Sequence, residues 1–244
     1  NNSFNEFIKN LGQEPFKLVD SDVSANMSRL KQFYNNEGYF DSEVEVDTIV
    51  NGNKVNLQYR VRKNNRYLID SISLKFMSSD IDSLYRITKN LSFVKKDEYF
   101  SINKLLFERD RLISLFKNNG IHDFQQRSIN FNVLIDSTSN KKKIPLILSI
   151  NNKSEEDEYR IRKTNDINIY VESLDELSNI GSYTDSIHYN GIKIFSKGNL
   201  NYSLRSLSEP IFFKKNKNYT ENDKLLTSRY FSNLGAFKYP RILV

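Results

Sequence analysis

The sequence predicts an α+β fold: a row of small tandem domains, each a mixed three-stranded sheet covered by two helices. Three observations predict it. A helix–glycine–aromatic–strand unit recurs at Ser21–Val50, Ser101–Ile135 and Thr220–Val244, and recurrence at wide spacing marks an array. Apolar and polar residues alternate strictly on either side of turn-forming pairs, the pattern of half-buried strands that need a cover on one face. The composition, 38% hydrophobic, 13% aromatic and 27% charged over 244 residues, supports folded cores.

The elements follow in order. Phe4, Phe7, Ile8 and Leu11 have helical spacing over Ser3–Leu11, with Gly12 as a stop and a turn at Glu14-Pro15. A second helix runs from about Asp22 to Asn36. Its stripe is Val23, Met27, Leu30 and Tyr34, with Ser21 or Asp20 as N-cap and Gly38 just past its end. Val44, Val46 and Val50 then alternate with Glu43, Glu45 and Asp47, and Val55, Leu57, Tyr59 and Val61 alternate with Lys54, Asn56, Gln58, Arg60 and Arg62. Asn51-Gly52 between them predicts a hairpin.

Tyr67–Phe76 reads as a strand and Ile81–Leu91 as a helix. Ile102, Leu105, Leu106, Leu112, Ile113 and Phe116 stripe another helix that ends at Gly120. Ile129, Phe131, Val133 and Ile135 predict a strand, Asp136–Lys143 a polar turn, and Ile144, Leu146, Leu148 and Ile150 the returning strand. Pro145 lacks a backbone donor, so that side of it should face away from the ladder. The order in this stretch is strand–helix–helix–strand–strand.

Asn151–Glu158 is polar and acidic and reads as a linker. Ile161, Ile167, Ile169 and Val171 predict a strand or a bent pair of strands. Asp175–Gly198 fits no repeat element and reads as an insertion, with short strand character at Ile192–Phe195. Asn199–Ser208 is a candidate helix, and Thr220–Leu234 a long helix opened by the capping sequence Thr220-Glu221-Asn222-Asp223. Phe237–Val244 starts a strand. The expected domains are therefore 1–65, lacking a first strand, 66–152, complete, and 153–244, with an insertion at about 175–198 and no last strand. A pattern cut at both ends implies a longer parent polypeptide.

Side-chain chemistry points away from catalysis. Cysteine is absent, which excludes a thiol nucleophile, a thiolate zinc site and a disulfide framework. His122 and His188 lie far apart in the repeat scheme, and no HExxH, GxSxG, P-loop or GxGxxG pattern occurs. No cofactor or metal site is expected. Glu155-Glu156-Asp157-Glu158 reads as solvated linker and Lys141-Lys142-Lys143 as a hairpin tip. The net charge of +6 comes from scattered residues, whereas a nucleic-acid surface would show a basic stripe with interleaved aromatics. A basic repeat protein that binds nucleic acid or other polyanions is the rival reading. No stretch approaches the roughly 18–20 apolar residues that a spanning helix needs.

The pattern resembles polypeptide-transport-associated (POTRA) domains of the BamA/TamA superfamily of outer-membrane assembly proteins. Three places carry the resemblance: Gly38-Tyr39-Phe40-Asp41-Ser42-Glu43-Val44, Arg66-Tyr67-Leu68-Ile69-Asp70-Ser71-Ile72, and Tyr219-Thr220 through Leu234-Gly235-Ala236-Phe237-Lys238. Phe7–Pro15 is similar to the TamL lipoprotein branch. Ile121-His122-Asp123-Phe124 departs from the family's glycine–aromatic pattern while keeping the helix-then-strand order. The resemblance implies a non-enzymatic arm on the periplasmic face of the bacterial outer membrane, in front of a C-terminal β-barrel outside this chain. Its implied partners are unfolded outer-membrane protein clients and other envelope assembly subunits, with no nucleic acid.

A three-stranded sheet with helices on one face leaves a strand edge open, where an extended client can pair through its main chain. The resemblance implies the strand right after each glycine–aromatic motif. Here those are Glu43, Val44, Glu45, Val46, Asp47 and Thr48, and Ile129, Asn130, Phe131, Asn132 and Val133. The outward charges Glu43, Glu45 and Asp47 equally suit an edge protected against aggregation.

Overall fold

The structure is a computed structural model that describes residues 19–135, 142–154, 156–171, 183, 185–197, 200–235, 237 and 240–244. The helix and turn expected over Ser3–Pro15 lie outside those residues, as does most of the turn at 136–143. The chain divides into two compact units. One comprises Asn1–Asp70, Lys96–Asn103 and Ile135–Ile144, and the other Ser71–Lys95, Lys104–Leu134 and Pro145–Val244. The fold class is α+β, with small sheets accompanied by helices.

In the first unit, helix α1 (Asp20–Asn36) leads into strands β1 (Glu43–Asn51) and β2 (Lys54–Arg62). The strands pair antiparallel from Glu43↔Arg62 to Asn51↔Lys54 and form a sheet of two strands. The expected stripe is present: Val23, Met27, Leu30 and Tyr34 are half-buried and alternate with exposed residues, and α1 packs on β1. The N-cap differs from expectation. It is Val19, which gives no side-chain cap, and Asp20 and Asp22 fall in the first turn. There the two carboxylates favour the positive end of the helix dipole without capping it. Buried Tyr67, Ile69, Phe100 and Ile144 complete this unit, with the Phe40 ring 5.3 Å from Tyr67 and 5.1 Å from Phe100.

Strand β3 (Leu68–Phe76) is followed by α2 (Ser79–Ile87), α3 (Ile102–Lys117), β4 (Ile129–Val133) and β5 (Lys143–Ile150). The sheet order is β3-β5-β4, with β4 antiparallel to β5. Leu68 N–H meets the Lys142 carbonyl, and Met77 N–H meets that of Ile150. Like ends are thus joined, and β3 runs with β5. This is the strand–helix–helix–strand–strand order that the sequence predicts. Pro145 stands third in β5 and offers only its carbonyl, to Leu134 N–H. Ile144, Leu146, Leu148 and Ile150 are buried and alternate with half-buried residues.

The α3 stripe departs from expectation at one position. Leu105, Leu112 and Phe116 are buried as expected, but Leu106 is 45% exposed. The stripe is completed by Glu108, a carboxylate only 1% exposed. Glu108 pairs with Arg111 at 2.6 Å and accepts Phe93 N–H at 2.9 Å, so burial leaves neither oxygen unpartnered.

The third sheet holds β6 (Ile167–Val171), β7 (Asp185–Tyr189) and β8 (Ile192–Ser196) in the order β6-β8-β7. β6 runs parallel to β8, and β7 antiparallel. The stretch expected to be an insertion therefore supplies two of three strands. The turn between them, Asn190-Gly191, has φ of 49° and 75°, the double positive turn that matches strand twist. Helices α4 (Leu204–Ser208) and α5 (Glu221–Asn233) follow. Ser203 and Thr220 cap them, accepting Ser206 N–H and Asp223 N–H, each at 3.0 Å. Ile192, Ile194, Leu207 and Phe231 form the core, with Ile167, Ile169 and Phe237 packed against it. The strand expected from Phe237 does not form over 240–244.

Candidate functional site: open sheet edges and a repeated glycine joint

Both strands singled out by the sequence lie at sheet edges. β1 pairs with β2 alone, and β4 with β5 alone, among the described residues. Hydrogen bonds at both ends of the β4–β5 pair set its phase. Asn151 N–H donates to the Ser128 carbonyl, and Leu134 N–H to that of Pro145. Even-numbered residues of β4 thus bond to β5, and the backbone groups of Ile129, Phe131 and Val133 point to the open side. In β1, the pair Asn51↔Lys54 closes a two-residue turn. Such a closing pair exchanges both hydrogen bonds, so the backbone groups of Val44, Val46 and Thr48 point away from β2. Glu43, Glu45, Asp47, Asn130 and Asn132 turn theirs to the partner strand. The acidic side chains of β1 also meet that strand: Asp47 pairs with Arg60 at 2.6 Å, while Glu43 and Glu45 each lie 3.7 Å from Arg62.

The repeated glycines are joints. Gly38 has φ +87° and Gly120 +103°, a region in which only glycine is at ease. Each glycine carbonyl accepts the N–H that opens the next extended segment: Tyr67 on Gly38 at 2.9 Å, and Arg162 on Gly120 at 2.8 Å. Further bonds repeat in the same order. Phe100 N–H donates to the Tyr67 carbonyl and Tyr219 N–H to that of Arg162, while Ile69 N–H reaches Glu98 and Thr164 N–H reaches Lys217. A Cβ on Gly38 would stand 2.8 Å from the Phe100 carbonyl oxygen, and one on Gly120 2.6 Å from Ile161 Cγ2. Gly235 has φ +65° and nothing within 4 Å of that position.

Side chains reinforce each joint. At the first, Arg66 donates from Nε to the Glu37 carbonyl at 2.6 Å and pairs with its carboxylate at 2.9 Å. The Tyr67 hydroxyl donates to Asp41 at 3.0 Å, and Lys142 reaches Asp41 at 2.7 Å and the Tyr67 oxygen at 3.3 Å. Burial raises the Tyr67 phenol above its ordinary range, and the Asp41 carboxylate adds to the rise. The hydrogen bond to Asp41 raises the Lys142 ammonium. With carboxylate, phenol and ammonium all engaged with one another, the triad is a latch. At the second joint Tyr159 is 1% exposed. Its hydroxyl lies 2.7 Å from Ser128 Oγ, and its carbonyl accepts Ser78 Oγ at 2.6 Å. Ile161 N–H donates to Asp80 at 2.8 Å. Sequence periodicity does not single out Tyr159, because it follows the acidic linker as an isolated aromatic. His122 packs its ring 5.7 Å from Tyr219, and His188 stands on β7 opposite Lys193.

These features define small α+β domains that carry open strand edges. The sequence model of the POTRA family, described as surface antigen variable number repeat, matches residues 5–64. Residues 5–64 are thus similar to the POTRA family, and Gly38–Val44 falls inside the matched stretch. Among solved structures it is similar to POTRA3-5 of Haemophilus influenzae BamA, at 14% identity over 93% of this chain and 74% of that one, with a TM-score of 0.42. It is also similar to Haemophilus ducreyi BamA lacking POTRA domains 1-3, at 13% identity over 57% of this chain and 25% of that one, TM-score 0.34. A third is the N-terminal domain of Omp85 from the thermophilic cyanobacterium Thermosynechococcus elongatus, at 15% identity, 55% and 53% coverage and TM-score 0.28. No curated protein matches the chain.

Proposed function

We propose that this chain is a non-enzymatic, polypeptide-binding arm of an outer-membrane β-barrel assembly or translocation protein, placed at the periplasmic face of the outer membrane. It handles unfolded clients by adding their extended segments to open sheet edges and docks other envelope assembly subunits. The observation that carries this reading is the outward backbone of Val44, Val46 and Thr48 on β1 and of Ile129, Phe131 and Val133 on β4, each strand following a glycine joint. Main-chain pairing is tolerant of client sequence, which suits a protein that meets many unfolded strands. The domain limits 1–65, 66–152 and 153–244 belong to the same proposal; the donors at the two described joints, Tyr67 and Arg162, lie near the starts of the second and third of them.

Site-specific photocrosslinking tests it. A photoreactive residue at exposed Thr48 or Asn132 should capture an unfolded outer-membrane β-barrel protein, whereas one at Lys54, on the turn, should not. Equal capture at all three positions overturns the edge reading. Salt-sensitive binding of a labelled oligonucleotide, with no client capture, would favour the polyanion reading instead.

A further inference from the structure

Helix α3 carries two arginines in contrasting surroundings. Arg111 is fully engaged: it donates to the two Glu108 oxygens at 2.6 and 2.9 Å and to Thr88 Oγ1 at 3.2 Å. Arg109, two residues earlier, pairs with no carboxylate among the described residues, and its Nε is buried without a partner. Its guanidinium carbon instead stands 5.7 Å from the centre of the Phe131 ring on β4. A cation is attracted to the face of a ring, but the ring offers no oxygen to the guanidinium N–H donors.

The place of Arg109 gives that unmet capacity a use. β4 is an edge strand whose Ile129, Phe131 and Val133 backbone groups face the open side. A strand added there lies ~4.8 Å from β4. Its residue opposite Phe131 projects on the same face as the Phe131 ring, because paired residues share a face. That is the face on which Arg109 lies. Leu106, Arg109 and Ile113 stand at i, i+3 and i+7 of α3, one stripe of the helix, and the Phe131 contact shows that this stripe borders β4. Along the open edge it reads apolar, cationic, apolar. Leu106, the residue that departs from the buried stripe of α3, is 45% exposed here, and Ile113 is half-buried.

We propose that Arg109 selects among client strands: the groove between α3 and β4 takes an extended polypeptide with an Asp or Glu side chain opposite Phe131 and apolar side chains two positions to either side. The carboxylate supplies the anionic partner that Arg109 lacks, and the apolar residues cover Leu106 and Ile113. Main-chain pairing with Ile129, Phe131 and Val133 holds the segment. Hydrogen bonds between guanidinium and carboxylate are short and directional, and a partly buried pair is screened less than an exposed one. This rests on the reading of β4 as a client edge, and adds a side-chain preference that main-chain pairing alone does not have.

The test compares two labelled synthetic peptides of alternating leucine and threonine, with either glutamate or glutamine in place of the central leucine. Fluorescence anisotropy measures their binding to the whole chain. The unaltered chain should bind the glutamate peptide at least fivefold more tightly than the glutamine peptide. Arg109→Gln should bring the two affinities within twofold of each other, and Arg109→Lys should restore part of the difference. Equal affinities in the unaltered chain overturn the proposal, as does a preference for glutamate that survives Arg109→Gln. The first comparison needs no variant, so it decides the matter even if Arg109→Gln fails to fold. Competition locates the site: the glutamate peptide in excess should block client capture by a photoreactive residue at Asn132 and leave capture at Thr48 unchanged. Two peptides that block capture at Asn132 equally well sink this inference alone. Absence of any client capture at Asn132 removes the β4 edge, and this inference with it.

Discussion

The Gly120 carbonyl oxygen accepts the Arg162 N–H at 2.8 Å, as the Gly38 carbonyl accepts Tyr67 N–H at 2.9 Å. In each case a glycine just past a helix hands its backbone to the start of the next extended segment. The glycine is required twice over, by its positive φ and by the contact made over its Cα. Gly120→Ala should therefore cost more than the roughly 1–2 kcal/mol of a left-handed alanine, because the new Cβ meets Ile161 at 2.6 Å and the Arg162 carbonyl oxygen at 3.1 Å. Gly38→Ala should behave alike, against the Phe100 carbonyl oxygen at 2.8 Å. Gly235→Ala, with open space, should cost only the backbone strain. Thermal unfolding of the three variants checks the ranking; equal losses would show that the close approach contributes nothing.

Glu108 and Thr227 serve one purpose with different chemistry. Each accepts a backbone N–H across fifteen residues, from Phe93 and from Phe212. Glu108→Ala should destabilise by about 3–5 kcal/mol, because it strands the Arg111 guanidinium, whose side chain is 14% exposed, and leaves the Phe93 donor unpaired. Thr227→Val removes a neutral acceptor and should cost about 1–3 kcal/mol. Denaturant midpoints measure both. A near-neutral Glu108→Ala would mean that water reaches Arg111 and Phe93 freely.

The sequence makes some of these relationships legible and hides others. Alternation revealed β1, β2 and β5 because in each a more buried face alternates with a more open one, and the 3.6 period revealed the α1 stripe because the positions between its members are exposed. The hairpin β7–β8 carries a plain signal in Asn190-Gly191 between Ile187 and Ile192. It reads as an insertion because the repeat assigns its sheet position to residues after the second helix. Sheet order is set by which strands pair across the sheet, here β8 with β6, and local pattern does not express that pairing. Glu108 is hidden for a related reason: a charged residue on a helix reads as solvent-facing until Arg111 and the Phe93 amide are known to meet it. The outward phase of the β4 backbone depends on two terminal hydrogen bonds, which residue type does not encode.

The Asp41, Tyr67 and Lys142 latch predicts a loss of stability in alkali. Tyr67 and Lys142 both have pKa values raised in the folded state. Folding therefore retains protons that the unfolded chain releases at its ordinary values near pH ~10. Their contribution is fully present below those values and disappears as pH rises through the folded ones. Asp41→Asn removes the carboxylate that both groups engage. The difference in denaturant midpoint between the original and this variant should be largest at neutral pH and shrink above pH ~10. Tyr85 and Tyr219, also raised by burial first, add to the alkaline loss in both proteins and cancel in the comparison. A difference that grows with pH would show that the latch does not hold.

Adjacent positions in β4 separate a folding role from a binding role. Val133 turns its backbone N–H to the open side, whereas that of Asn132 enters the ladder with β5. Proline lacks this donor and is tolerated in a sheet only where the donor faces away from the partner strand. Val133→Pro should leave the thermal transition within a few degrees of the original but weaken capture of an unfolded outer-membrane β-barrel protein, because the added client strand loses a main-chain partner. Asn132→Pro should lower the transition instead, since it removes a bond inside the β4–β5 pair and its ring crowds the ladder. If Val133→Pro captures the client as well as the original while remaining folded, β4 is not a client edge. The edge-binding reading would then rest on β1 alone, where the outward backbone groups belong to Val44, Val46 and Thr48.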